Sequence, residues 1–262
     1  MQIQANSISI GYDIDGPEDA PVVTLSHSLA ANRHMWWPQI DVLKENYRVL
    51  RYDTRGHGTT DVTEGPYSIA LLVDDVVALL AELNIAETHF IGLSMGGMIG
   101  QLFAANHSEK LLSLTLCATA CQMASQMAPV WDERIEAAQK DGMASLAEVT
   151  VDRWFTSSYR TNSKREVERI IEMIQTTPAK GFAGCGQAIK TLNQLNALDR
   201  VTAPTLILVG RDDPGTPPSA SQIIHKHIKE SEMIVIDNAS HMLNVEQSKR
   251  FNEELTNFLQ TQ

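Results

Sequence analysis

Long apolar runs are missing from this chain. No stretch approaches the ~20 residues needed to span a bilayer, and Met1 to Asn6 carry neither a basic segment nor an apolar one. A membrane span and a secretory leader are not expected, which points to a cytoplasmic protein. Cysteine is scarce: Cys117, Cys121 and Cys185 are an odd count without any C-x-x-C pair. That argues against a disulfide framework and for buried, reduced thiols. Basic residues are outnumbered, 21 Lys and Arg against 32 Asp and Glu, for a formal charge of −11. Phosphate backbones and anionic bilayers would be repelled, so neither nucleic acid nor membrane is expected as a partner, and a small molecule fits better. Repeats, low-complexity tracts and long linkers are absent too. A homo-oligomer stays compatible with all of this.

What is present is an alternation of strand-like and helix-like segments, in a chain of 262 residues that can bury a sizeable core. Ile8 to Asp13, with the residues before them, suggest an opening hairpin. Pro21–Ser26, Tyr47–Asp53, Leu111–Cys117, Pro204–Gly210 and Glu232–Asp237 read as strands. Met35 to Asn46 reads as a helix. Ser68 can cap another that runs to Leu83 with a leucine and valine stripe. A last helix is expected from Val245 to Gln260. Strands alternating with helices imply a mostly parallel sheet covered on both faces. Between 118 and 198 the strands stop and the segment is helix-like throughout, with Trp131, Trp154, Phe155, Tyr159 and Phe182. The expected organisation is therefore a core of 1–117 and 199–262 with a helical cap, 118–198, over the carboxyl edge of the sheet.

The chemistry centres on Gly92-Leu93-Ser94-Met95-Gly96, between the strand-like His89–Leu93 and a helix-like Met98–Ala105. A strand turning sharply through G-x-S-x-G into a helix exposes the serine hydroxyl on a strained backbone. Glycines flank it because a Cβ would clash across the turn. A serine hydroxyl needs a base to take its proton, and the base needs an acid to orient it. Both follow later in the chain, each after a strand. Asp213 stands three residues after Gly210 and four before Pro217, with Asp212 as the alternative, and His241 follows Asp237. The developing oxyanion needs two N–H donors. The Met95 amide is one; Leu29, in the loop after Ser26, is the other, with Ser28 its rival. Asp53-Thr54-Arg55-Gly56-His57-Gly58 lacks the lysine and spacing of a phosphate-binding loop. It reads as a structural turn in which Asp53 and Arg55 pair with neighbours and His57 is structural. His225 and His227, two apart on a helix, face different ways and have no acidic or cysteine partner nearby in sequence, so no metal site is expected.

The whole chain resembles the α/β-hydrolase superfamily, and within it the 3-oxoadipate enol-lactonases of bacterial aromatic catabolism. The resemblance is carried by Leu25–Leu29 with Met35-Trp36, by Leu50–Gly58, and by Gly65-Pro66-Tyr67. It continues through Gly92–Gly97, Arg153-Trp154-Phe155-Thr156, and Ala239-Ser240-His241 with Asn244 and Glu246. It implies an α/β-hydrolase fold and the opening of an enol-lactone or ester through an acyl-enzyme on Ser94, with no metal or organic cofactor. The alternatives on the same triad are a carboxylesterase, a carbon–carbon bond hydrolase and a cofactor-free haloperoxidase or perhydrolase. A non-catalytic receptor on this fold is the alternative of another class. The chain departs from the family in having His27 where Asn is expected, Ala30 where Gly is expected, and Gly184-Cys185-Gly186 where Asn-Cys-Glu is more typical. A carboxylate-bearing substrate would need a local cation, for which Arg33 and Arg153 are candidates. Trp131 and Trp154 are expected to wall the pocket.

Overall fold

The computed structural model describes all 262 residues. The chain opens with the antiparallel hairpin β1 (Gln2–Ala5) and β2 (Ile8–Asp15), then β3 (Val22–Ser26), α1 (Trp37–Leu43) and β4 (Arg48–Tyr52). Next come α2 (Ile69–Glu82), β5 (Thr88–Leu93), α3 (Met95–Asn106) and β6 (Leu111–Cys117). Six helices follow without a strand: α4 (Ala128–Asp141), α5 (Ala144–Trp154), α6 (Ser157–Asn162), α7 (Lys164–Thr176), α8 (Ala179–Lys190) and α9 (Leu195–Leu198). The alternation then resumes with β7 (Thr205–Gly210), α10 (Pro218–His227) and β8 (Ser231–Ile236), and ends in α11 (Leu243–Glu246) and α12 (Ser248–Leu259).

The eight strands form one sheet in the order β1-β2-β4-β3-β5-β6-β7-β8. β4 and β3 pair parallel, as do all neighbours from β3 through β8, while β1 and β2 are antiparallel. This is the α/β-hydrolase fold. Every residue of β5 and of β7 is buried, as central strands covered on both faces must be. The order reverses beside β3, so β5 lies where a crevice opens at the carboxyl ends of the strands. The loops after β3, β5, β7 and β8 all meet at that edge. No helix is long and apolar enough to cross a membrane.

Ser68 does cap α2: its side chain accepts from Leu71 N–H while Leu72, Val76, Leu79 and Leu80 are buried. The expected helix over Met35–Asn46 is shorter. A 3₁₀ turn, Arg33–Trp36, leads into α1, which stops at Leu43. The expected closing helix is broken at Gln247, whose φ of −122° and ψ of 47° leave the helical region. The break lets Glu246 turn back toward the loop after β8, where its carboxylate accepts the Ser240 N–H at 2.8 Å. The polar helix α6 carries no buried residue, so it has no apolar stripe by which the sequence could announce it.

Candidate active site

β5 ends at Leu93 and α3 begins at Met95, so Ser94 alone makes the turn. Its backbone takes φ 56° and ψ −112°, a region costly for any residue with a Cβ. The turn closes because the flanking glycines permit it. A Cβ on Gly92 would lie 2.2 Å from the Gly96 carbonyl oxygen, and one on Gly96 the same distance from the Ser26 carbonyl oxygen. Two hydrogen bonds hold the strained residue: Ser94 N–H to the Cys117 carbonyl at 2.8 Å, and the Thr119 hydroxyl to the Ser94 carbonyl at 2.8 Å.

After β7, the Asp213 carboxylate is fully enclosed. Oδ1 accepts the Gly215 and Thr216 N–H groups at 2.8 and 3.0 Å. Oδ2 accepts the Thr216 hydroxyl at 2.7 Å and faces His241 Nδ1 at 2.7 Å. Burial opposes the charge, but His241 and the Thr216 hydrogen bonds outweigh it and hold the carboxyl at about 2. Asp213 therefore fixes the hydrogen of His241 on Nδ1 and leaves Nε2 free as an acceptor. Asp212, the alternative, is exposed and bonds only through its backbone. The Trp154 ring lies 5.9 Å from the His241 ring, and the Met242 N–H reaches the Trp154 carbonyl at 3.0 Å. Glu246 joins the same junction: besides Ser240, it accepts the N–H and hydroxyl of Thr156. The loop carrying His241 is thus tied to the end of α5.

The loop after β3 is braced from below by two neutral imidazoles. Thr54 N–H donates to His27 Nε2 at 2.9 Å, which leaves the His27 hydrogen on Nδ1, 2.7 Å from the Ser28 carbonyl. Ala30 N–H donates to His57 Nε2 at 3.1 Å. Burial, and then the neighbouring His27, push His57 down to about 3. His27 and His57 are structural, and what they hold is the segment 28–30. Ala30 itself takes φ 61°, the left-handed conformation for which the resemblance led one to expect glycine. Within this loop the Leu29 N–H makes no protein hydrogen bond, while Ser28 N–H points to the Met35 sulfur at 3.3 Å. The Met95 N–H, first in α3, has no intrahelical acceptor.

Ser94, His241, Asp213, Leu29, Trp131, Trp154 and Arg153 all line one cavity of about 210 Å³. It lies below the roughly 300–1,000 Å³ of drug-sized pockets, so it suits a small acyl compound. A wider groove of about 640 Å³ lies behind the His241 loop, lined by Asp212, Ser240 and Glu246. Neither Ser94 nor His241 reaches it.

Arg33 corrects the sequence expectation. It does not line the cavity; its guanidinium pairs with Asp53 and, at 2.7 Å, with Asp13. Asp53 in turn accepts the Arg33 and Thr59 N–H groups at 2.9 Å. A cation committed to two carboxylates beneath the loop is unavailable to a substrate. Arg55 pairs likewise with Asp75 at 2.8 Å. The residue sequence reasoning missed is Arg134 on α4, which also lines the cavity. Its only signal was a place three residues after Trp131 on one helix face. His227 does meet an acid, Asp199 at 2.9 Å, but His225 turns to Ser231, and no three metal-holding side chains gather anywhere.

A parallel sheet with a two-strand antiparallel edge, a serine on a strand–helix elbow after β5 and a carboxylate-held imidazole after the last two strands together define a class, the α/β hydrolases. A family model described as the alpha/beta hydrolase fold matches residues 21–248. The chain is 34% identical over 253 residues to 3-oxoadipate enol-lactonase 1 of Acinetobacter baylyi, covering 97% of this chain and 94% of that one. Its fold matches the crystal structure of the enol-lactonase from Burkholderia xenovorans LB400 with a TM-score of 0.96 at 33% identity, over 99% of this chain and 100% of the other. A malate-bound thermophilic esterase from Thermogutta terrifontis matches with a TM-score of 0.93 at 26% identity, over 100% and 98%. The chain belongs to the α/β-hydrolase family, on the side of it that includes the enol-lactonases.

Proposed function

We propose that the chain hydrolyses a small lactone or ester through an acyl-enzyme on Ser94, and that a 3-oxoadipate-type enol-lactone is its substrate. His241 Nε2 takes the Ser94 proton as Oγ attacks the ring carbonyl. The Leu29 and Met95 amides receive the oxyanion, each such donor contributing about 2.7–4 kcal/mol to the transition state. The ring C–O bond then breaks, and His241 returns the proton to the departing enol oxygen, which tautomerises to the ketone. Water, deprotonated by the same imidazole, attacks the acyl carbon and releases the acid from Ser94. Asp213 keeps its charge throughout and stabilises the imidazolium. Trp131, Trp154 and Arg153 form the substrate wall. Helices α4 to α9 act as a cap over the edge of the sheet, since α4 and α5 supply that wall. The three free, buried cysteines suit a reducing, cytoplasmic setting.

The observation that carries this reading is the 2.7 Å contact from Asp213 to His241 in the cavity that Ser94 lines. The similarity to enol-lactonases supports the choice of substrate. The test is a panel of enol-lactones, simple esters, vinylogous diketones and peracid formation assayed with one preparation. Preferred opening of the enol-lactone is expected. A preference for carbon–carbon cleavage or peracid formation would transfer the same triad to another reaction, and no turnover at all would leave a receptor.

A further inference from the structure

In a trans peptide the N–H and the preceding C=O point opposite ways in one plane. The Leu29 N–H is therefore backed by the Ser28 carbonyl, and the Met95 N–H by the Ser94 carbonyl. Each of these carbonyls accepts two hydrogen bonds, one from the backbone and one from a buried side chain. The Ser28 oxygen accepts the Ala31 N–H at 3.2 Å and the His27 Nδ1–H at 2.7 Å. The Ser94 oxygen accepts the Met98 N–H at 3.0 Å and the Thr119 hydroxyl at 2.8 Å. The backbone bonds belong to a loop turn and to the first turn of α3, whereas the side-chain bonds belong to no regular structure. His27 and Thr119 are sealed from solvent, and neither lines the cavity. The imidazole has one arrangement open to it, because the Thr54 N–H occupies Nε2 and burial, lowering its pKa below the ordinary value, keeps it neutral. Thr119 reaches its carbonyl because residue 97 is glycine: a Cβ there would lie 2.7 Å from Thr119 Cβ and 2.8 Å from its hydroxyl oxygen. Gly97 thus makes room for a bond that the elbow turn itself does not demand.

We infer that His27 and Thr119 are positioning residues of the oxyanion site, each fixing one donor peptide from behind and strengthening its N–H. The inference rests on the hydrolase reading above, with Leu29 and Met95 as its donors. A hydrogen bond accepted by a carbonyl draws charge onto the oxygen and makes the N–H of the same peptide a better donor. It also holds the peptide plane, so that the N–H needs no reorientation as the oxyanion forms. The two residues act from opposite sides of Ser94, His27 from the loop after β3 and Thr119 from the loop after β6.

The test compares phenyl acetate with O-phenyl thionoacetate, which differ only in the atom that enters the oxyanion site. Sulfur is a poor hydrogen-bond acceptor, so the ratio of the two kcat/KM values reports the strength of the donors. Thr119→Val removes the hydroxyl and keeps the shape; it should lower the oxygen-to-sulfur ratio about tenfold, a fraction of what loss of a whole donor costs. Thr119→Ser should retain most of the ratio. His27 is divided by its two amide mimics. Asparagine places an NH₂ near the position of Nδ1 and can still donate to Ser28, while glutamine places its oxygen near Nε2 and can still accept from Thr54. His27→Gln should lower the ratio about tenfold and His27→Asn should retain most of it. Should Thr119→Val fail to fold, Thr119→Ala is set against Thr119→Ser in the same assay, and each of the two residues is read by its own variants. A role confined to holding the loops lowers both esters together; an unchanged ratio in Thr119→Val and His27→Gln, or a ratio lost equally in His27→Asn and His27→Gln, overturns the inference and leaves the hydrolase. No turnover by the wild type of either ester or of any lactone removes the hydrolase reading itself.

Discussion

Asp213→Asn is the substitution whose consequence follows most directly from the geometry. Asparagine is isosteric but has one acceptor oxygen where aspartate has two. Two N–H groups, those of Gly215 and Thr216, converge on Oδ1, so the amide oxygen will settle there and keep both bonds. Its NH₂ is then left facing Thr216 Oγ1 and His241 Nδ1. The hydroxyl can rotate to accept. The imidazole can accept only by moving its hydrogen to Nε2, where it can no longer take the Ser94 proton. In serine hydrolases this wrong-tautomer effect costs about 10⁴ in kcat, which at 1.36 kcal/mol per decade is about 5 kcal/mol of barrier. KM should change little, because no substrate contact is lost. The assay is steady-state hydrolysis of an enol-lactone or 4-nitrophenyl ester beside Asp212→Asn as the control, whose carboxylate is exposed and bonds nothing. Retention of activity by Asp213→Asn within about tenfold, or an equal loss in Asp212→Asn, would refute the tautomer argument.

Three further outcomes are expected. Arg33→Met strands the Asp53 carboxylate in the protein interior, since its Arg33 partner is lost; urea unfolding should show a loss of about 3–5 kcal/mol, and a change under 1 kcal/mol would mean the pair is not what holds that loop. Glu246→Ala removes the acceptor of two backbone amides and the Thr156 hydroxyl, so denaturation should show a loss of about 2–3 kcal/mol, with kcat reduced because Ser240 adjoins His241. The Asp213 carboxyl sits at about 2, below its ordinary 3.8, so its contribution of about 2 kcal/mol is fully present above pH 3.8 and disappears as pH falls through 2. Asp213→Asn should therefore flatten the acid limb of the stability–pH curve, and an unchanged limb would place the acid-sensitive group elsewhere.

The elbow and the places of the proposed base and acid were legible because such a reaction imposes an order on its residues and the fold puts each after a strand of alternating α/β sequence. Ser68 likewise announces its own role as a helix cap. The arginines show the opposite case. Sequence displays a positive charge but not its partner, so Arg33 looked available although Asp53, in a motif flagged for pairing, already holds it. Arg134 stayed hidden because a cation on an amphipathic helix ordinarily faces water, and only the packing of α4 against α8 turns it inward. The break at Gln247 is invisible for a related reason: nothing in the local sequence forbids a continuous helix, and what favours the interruption is the distant pairing of Glu246 with Ser240 and Thr156. His27 and His57 show both sides. The sequence marks the turn that contains His57, yet only the fold reveals that both imidazoles brace the segment bearing Leu29.

The central claim, that Ser94 is a nucleophile activated by His241, is tested most directly by covalent labelling. A fluorophosphonate should add one equivalent to the native protein, with the adduct mapped by mass spectrometry to the peptide containing Ser94 and absent from Ser94→Ala. No adduct, or an adduct on any other residue, would contradict the account.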